Sequence, residues 1–233
     1  MEILSLNQIS PDQVVLLQWG VVRITATLLY TWVVMAILIL VAILVGRKAT
    51  ADTAISRWQN LLEVVVSSIR EQIREISQDE PDHYTAFIGT LFLFIGLSNL
   101  LLIVPGYVAP TSSLTTTAAL AVCVFFAVPI YGISKNGLAY FKEYFQPTFI
   151  FFPFHVMGEF TRTLALMIRL FGNIMSHDKV IAILLAVTPL FFPIVMHALG
   201  LLIGMVQAYI FSILAMVYIA SVTQAHESHG RGP

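Results

Sequence analysis

Apolar residues fall along this chain in two patterns, one continuous and one periodic. Residues 24–46, 85–134 and 180–226 contain no Asp, Glu, Lys or Arg. A helix needs about 20 apolar residues to cross the hydrocarbon of a bilayer. The first run predicts one span over 24–46. The second holds two spans, over about 85–104 and 114–133, divided by the turn signals Pro105, Gly106 and Pro110 and by the Thr/Ser cluster 111–117. From 144 to 226 only Glu159, Arg162, Arg169, Asp178 and Lys179 are charged. This part reads as a helix over 157–187 and a second over 194–224, separated at Pro189 and Pro193. The periodic pattern occupies 53–77, where Ile55, Trp58, Leu61, Leu62, Val65, Ile69, Ile73 and Ile76 form a helical stripe and Arg57, Glu63, Arg70, Glu71, Arg74 and Glu75 take other positions. It predicts an amphipathic helix at a membrane interface. The chain therefore reads as an all-α polytopic membrane protein in one domain, residues 1–233. Its parts are a first span 24–46, an interfacial helix 53–77, a hairpin 85–133, a longer hairpin 144–224 and a tail 225–233.

Composition sharpens the class. Of 233 residues, 58% are apolar and 11% charged, against roughly 25% charged in soluble domains. Soluble enzymes, disordered chains and disulfide-stapled secreted domains are excluded, and continuous rather than alternating runs argue against a β-barrel. The net charge of −1 offers no basic surface to nucleic acid. The single cysteine, Cys123, permits no disulfide framework within the chain and reads as a small core residue. The start of the chain, with Glu2 and Asp12, lacks a secretory-signal pattern. Arg47 and Lys48 place the end of the first span in the cytoplasm by the positive-inside rule, so the N-terminus lies outside and the C-terminus inside. Phe149, Ile150, Phe151 and Phe152 read as an interfacial anchor.

The few charges in the last hairpin carry the candidate chemistry. Arg162, Arg169, Asn173 and His177 are spaced 7, 4 and 4 and share one helix face. A charge at mid-bilayer costs from about 2.5 to well over 10 kcal/mol, so Arg169 must meet a carboxylate or water. Glu159 and Asp178 lie about 15 and 13.5 Å from it along a helix axis. The asymmetry points to a carboxylate on another chain, the alternative being a pair with Asp178 or snorkelling. Glu159 and Arg162 are at i,i+3 and can pair. On the next helix His197, Gly200, Gly204 and Gln207 are spaced 3, 4 and 3, a face of small residues with one amide able to hold Arg169 or Asn173.

Arg169-Leu170-Phe171-Gly172-Asn173 in a membrane helix resembles the signature of subunit a of rotary F-type ATP synthases. Gln207-Ala208-Tyr209-Ile210-Phe211 resembles that family's second motif, and Ala225-His226-Glu227 a third. The likeness covers nearly the whole chain, most closely 144–227. It implies that Arg169 is the essential stator charge, with Asn173 and Gln207 beside it. His177 and Gly200 stand where many members have Gly and His, so one imidazole falls in the same region. Asp178 stands where members carry a residue assigned to the ion path. Departures occur at His155, where Glu is frequent, at Thr163, where Pro is usual, and at Ser113, Thr115 and Asn99, where acids or amides are common.

The resemblance implies a non-catalytic, ion-translocating subunit. Two half-channels would carry protons, or sodium, to a rotor ring of c subunits, each with a membrane carboxylate, and couple rotation to ATP synthesis or hydrolysis. The long hairpin would face that ring. Ion translocation falls to Arg169, Asn173, Gln207, His177 and Asp178. His155, Glu159, Arg162, His197, Asn99, Ser113 and Thr115 are access-channel candidates. The implied partners are the c ring, peripheral-stalk b subunits, the F1 sector indirectly and the lipid of a bacterial inner membrane. No cofactor, catalytic residue or metal site is expected. The competing expectation is a self-contained channel or secondary transporter with Arg169 binding its substrate.

Overall fold

The computed structural model describes residues 15–19, 22–48, 57–77, 80–104, 107–137, 152–187 and 192–224. The Pro105-Gly106 turn, the Phe149–Phe151 anchor, Pro189 and the tail from Ala225 lie outside them. Two short strands, β1 (Val15–Trp19) and β2 (Val22–Thr25), pair as an antiparallel hairpin before the first helix. Nothing in the apolar pattern of the chain announces this ribbon, which precedes the membrane helices and leaves the all-α class of the protein intact.

Six helices follow. α1 (Ala26–Lys48) is the first span. Among its described side chains it buries only Thr27 and Val34. α2 (Arg57–Ser77) is amphipathic. It packs on later helices through Ile69, Ile73 and Ile76, while Arg70, Glu71, Arg74 and Glu75 stay exposed. α3 (Asp82–Leu100) continues as a 3-10 turn, Leu101–Ile103. It begins three residues earlier than its charge-free run because Asp82 suits a helix N-terminus. Asp82 also takes an ion pair from Arg70, fastening α2 to the start of α3.

A second 3-10 turn, Pro110–Ser112, leads into α4 (Leu114–Asn136). α4 ends at Gly137, whose φ of +58° favours glycine and whose N–H closes on the Ile133 carbonyl at 2.8 Å. Cys123 is exposed on α4, not in the core. An apolar run in a bilayer can face lipid as readily as protein, so hydropathy does not report burial there. α5 (Phe152–Val187) and α6 (Phe192–Gln224) form the long hairpin. Pro153 and Pro193 sit in the first turns of these helices, where a missing N–H costs nothing. Pro193 therefore begins α6 rather than breaking the chain before it.

Ala26–Leu44, Asp82–Ile103, Leu114–Lys135 and Ile194–Thr223 are long and apolar enough to cross a membrane. α5, at 36 residues, has the length but carries the five charges already noted. The core lies where α3, α4, α5 and α6 meet, around Ile95, Val124, Leu166, Leu170, Phe211 and Met216, each at most 2% exposed. α3 and α6 approach closely at Gly96, whose position faces Met205 Sδ at 3.8 Å and Ala208 Cβ at 3.9 Å.

Candidate functional site

α5 buries Leu166, Leu170 and Ile174, one residue every turn, against the other helices. Arg169 and Asn173 each precede one of these by a single residue. They are rotated by about 100° onto the rim of the buried seam, and both are exposed. Next to them lies an exposed apolar face that includes Phe160, Leu164 and Ile168. Arg169 therefore borders a surface fit for lipid or another membrane chain. Among the described residues it has no ion pair and no hydrogen bond. Asp178 pairs with neither Arg169 nor Lys179 among them.

The predicted partnership between the two hairpin helices is present. Asn173 Nδ2 donates to Gln207 Oε1 at 2.8 Å, and Gln207 is 2% exposed. Its own Nε2 is buried with no acceptor among the described residues. One turn further along α5, the His177 imidazole lies so close over Gly200 that a methyl group there would run into it. Glycine at this position is what admits the ring. His197 comes near from the start of α6, its ring centroid 6.4 Å from that of His177, but its side chain is exposed. Asn173 with Gln207 and His177 with Gly200 thus join the two helices at two places, with Arg169 one turn before Asn173 on α5.

Gly204 turns to a different neighbour. Asn99 of α3 packs on it, with a Cβ at Gly204 only 2.8 Å from Asn99 Cβ, and donates from Nδ2 to the Gly204 carbonyl at 2.9 Å. Thr111 Oγ1 donates to Asn99 Oδ1 at 3.0 Å. Asn99 and Thr111 are fully buried. The four-residue face predicted on α6 is therefore divided, with Gly200 and Gln207 serving α5 and Gly204 serving α3. Ser113 is buried at the start of α4 and shares a 2.6 Å hydrogen bond with Thr115, whose side chain is exposed.

The remaining candidates sit toward the start of α5. Glu159 Oε1 accepts from Arg162 Nη1 at 3.0 Å, as the i,i+3 spacing predicts. The Arg162 guanidinium also lies 5.5 Å from the Tyr218 ring centroid, a cation–π contact across the hairpin. His155 is exposed one turn before Glu159.

Two contacts escaped the reading of the sequence. Tyr218 escaped because aromatic residues are too frequent here for one to stand out. Thr111 escaped because it lay inside a cluster taken only as a turn; its pairing with Asn99 crosses a loop whose shape spacing does not give. Tyr209 of the second motif carries its own tie, donating through Oη to Gln72 Oε1 of α2 at 2.7 Å.

The family model described as ATP synthase A chain matches residues 28–220. The ATP synthase subunit a 2 of Acaryochloris marina is 54% identical over 220 residues, 94% of each chain. That of Picosynechococcus is 55% identical over 221 residues, 94% of this chain and 95% of its own. ATP synthase subunit a of Albidiferax ferrireducens is 52% identical over 221 residues, 94% of this chain and 96% of its own.

Proposed function

This chain belongs to the ATP synthase A chain family, and on that premise we propose that it is the stationary, proton-conducting half of a rotary membrane motor. The observation that carries the reading is Arg169, without a partner among the described residues, on the rim of the α5–α6 seam and bordering an apolar face. A guanidinium does not lose its proton in a protein. Its positive charge favours the ionised form of any carboxylate brought beside it. The missing carboxylate belongs to each c subunit of a rotor ring that sweeps past α5 and α6. A protonated ring site must release its proton before it can pass Arg169.

Two half-channels serve that step, one from each side of the membrane. Gln207, Asn173, His177 and Asp178 line the path from the outer side, with Asn99, Ser113, Thr115 and His197 as further candidates. His155, Glu159 and Arg162 line the cytoplasmic side. An imidazole can take a proton at one ring nitrogen and release one from the other, which suits a relay at His177. The charge on Arg169 also opposes direct leakage between the half-channels. Each proton crossing the potential yields about 2.3 kcal/mol per 100 mV, which rotation delivers to ATP synthesis in the soluble sector. The chain sits in a bacterial inner membrane with its N-terminus outside, beside the peripheral-stalk b subunits.

The test is Arg169→Ala in the assembled complex, with ATP-driven proton pumping and passive leak measured together. Pumping should fall by about 100-fold or more, the equivalent of roughly 3 kcal/mol for a broken buried charge pair. Retained coupled pumping rejects the assignment. Sodium dependence of ATP hydrolysis, expected to be absent, checks the ion.

A further inference from the structure

Three buried polar atoms lack a hydrogen-bond partner among the described residues: Ser98 Oγ, Tyr107 Oη and Gln207 Nε2. A buried polar group normally finds a partner in protein or in ordered water. These three are not scattered. The Ser98 hydroxyl faces the Tyr107 phenol closely enough to influence its titration, though not in bonding geometry. Ser98 is fully buried and adjoins Asn99, which reaches both Thr111 and the Gly204 carbonyl. Gly204 is one turn from Gln207 on α6. Tyr107 itself is held edge-on by Tyr30 of α1, ring centroids 5.0 Å apart.

We propose that Ser98 and Tyr107 are the water-holding outer step of the proton path, leading from the 3-10 turns past Asn99 to Gln207. The step rests on the stator reading above and extends it to two residues outside the motifs. Each hydroxyl accepts a proton from one water as it gives its own to the next, so no net charge remains on the protein. Burial pushes the Tyr107 phenol further above its ordinary range, so it stays neutral and serves as a hydroxyl. Gln207 Nε2 is the inner donor to the same water chain.

The direct test is access of aqueous silver ion to position 98 in the assembled complex. Ser98→Cys, in a Cys123→Ala background, should make ATP-driven pumping at least about tenfold more sensitive to Ag⁺, because a thiol reacts where water reaches it. Ile95→Cys, at a fully buried apolar position on the same helix, should not. Equal sensitivity of the Ser98→Cys complex and its Cys123→Ala parent overturns the proposal. If Ser98→Cys does not assemble, Tyr107→Phe decides. Passive proton conductance through the membrane sector should fall about fivefold for one lost hydrogen-bonding group, and unchanged conductance overturns the proposal. Arg169→Ala run alongside separates the two failures. Lost pumping in that variant with no effect at 98 or 107 leaves the stator reading intact and removes only this step.

Discussion

α5 carries two arginines two turns apart, and the protein treats them oppositely. Arg162 is satisfied within the chain by the Glu159 carboxylate at 3.0 Å and the Tyr218 ring at 5.5 Å. Arg169 has no such partner among the described residues and borders an apolar face. Its neighbour Asn173, which could have been a carboxylate, is an amide already committed to Gln207. An arginine in a membrane helix can therefore be satisfied within its own chain. The informative feature is an arginine kept unneutralised while the amide one turn away, Asn173, is fixed to Gln207.

The sharpest way to break the contrast is to give Arg169 what Arg162 has. Asn173→Asp places a carboxylate one turn away on the same face. An internal pair in a low-dielectric site would compete with the proposed rotor carboxylate, and coupled pumping should fall by about 100-fold, roughly 3 kcal/mol. Asn173→Ser removes the 2.8 Å tie to Gln207 without adding charge. It should cost only about fivefold, near 1 kcal/mol. Pumping assays on the two variants separate charge from scaffolding, and equal losses would show that charge plays no special part.

An intermediate effect, between those of the two Asn173 variants, is expected at Gly200. A methyl group there collides with the His177 imidazole, which must swing aside. Overpacking of this kind costs about 1–3 kcal/mol, and pumping should drop roughly tenfold. Gly200→Ala combined with His177→Ala should show no further loss beyond His177→Ala alone, because the collision is gone. The paired exchange His177→Gly with Gly200→His keeps one ring in the same space and should recover most activity. Additive losses in the Ala pair would mean that ring and glycine act independently.

The contrast between the arginines was half legible in the sequence. Scarcity of charge located the helices closely, since few other features can interrupt so apolar a chain. Amides stand out in such helices, so Asn173 and Gln207 could be matched across the hairpin from spacing alone. Gly200 and Gly204 were recognisable as a small-residue face, but spacing does not say which helix each glycine meets. One receives an imidazole from α5 and the other Asn99 from α3. Cys123 shows the deeper limit. In a membrane the inside and the outside of the bundle are equally apolar, so the reading that places Cys123 in the core has no physical support from its neighbours. The 15–25 hairpin carries no alternation that distinguishes it from the run that follows.

The smallest effect should come from Arg162, and its smallness is the other half of the comparison. The Arg162 side chain is 46% exposed and that of Glu159 18% exposed. Pairs with this much access to solvent are worth about 0.2–1 kcal/mol, and an exposed cation–π contact adds about 0.5–1. Both contacts lie within the hairpin, so most of that loss falls on its stability, and Arg162→Ala should slow pumping by about threefold. Glu159, relieved of its partner, remains near enough to the start of α5 to find water. Arg162→Lys keeps the charge but loses the planar stack on Tyr218, and should fall between wild type and Arg162→Ala. Measured beside Arg169→Ala, the pair tests whether position on one helix or freedom from a partner makes an arginine essential. If Arg162→Ala abolished pumping as completely as Arg169→Ala, internal pairing would not make an arginine dispensable, and Arg162 would be as essential to the ion path as Arg169.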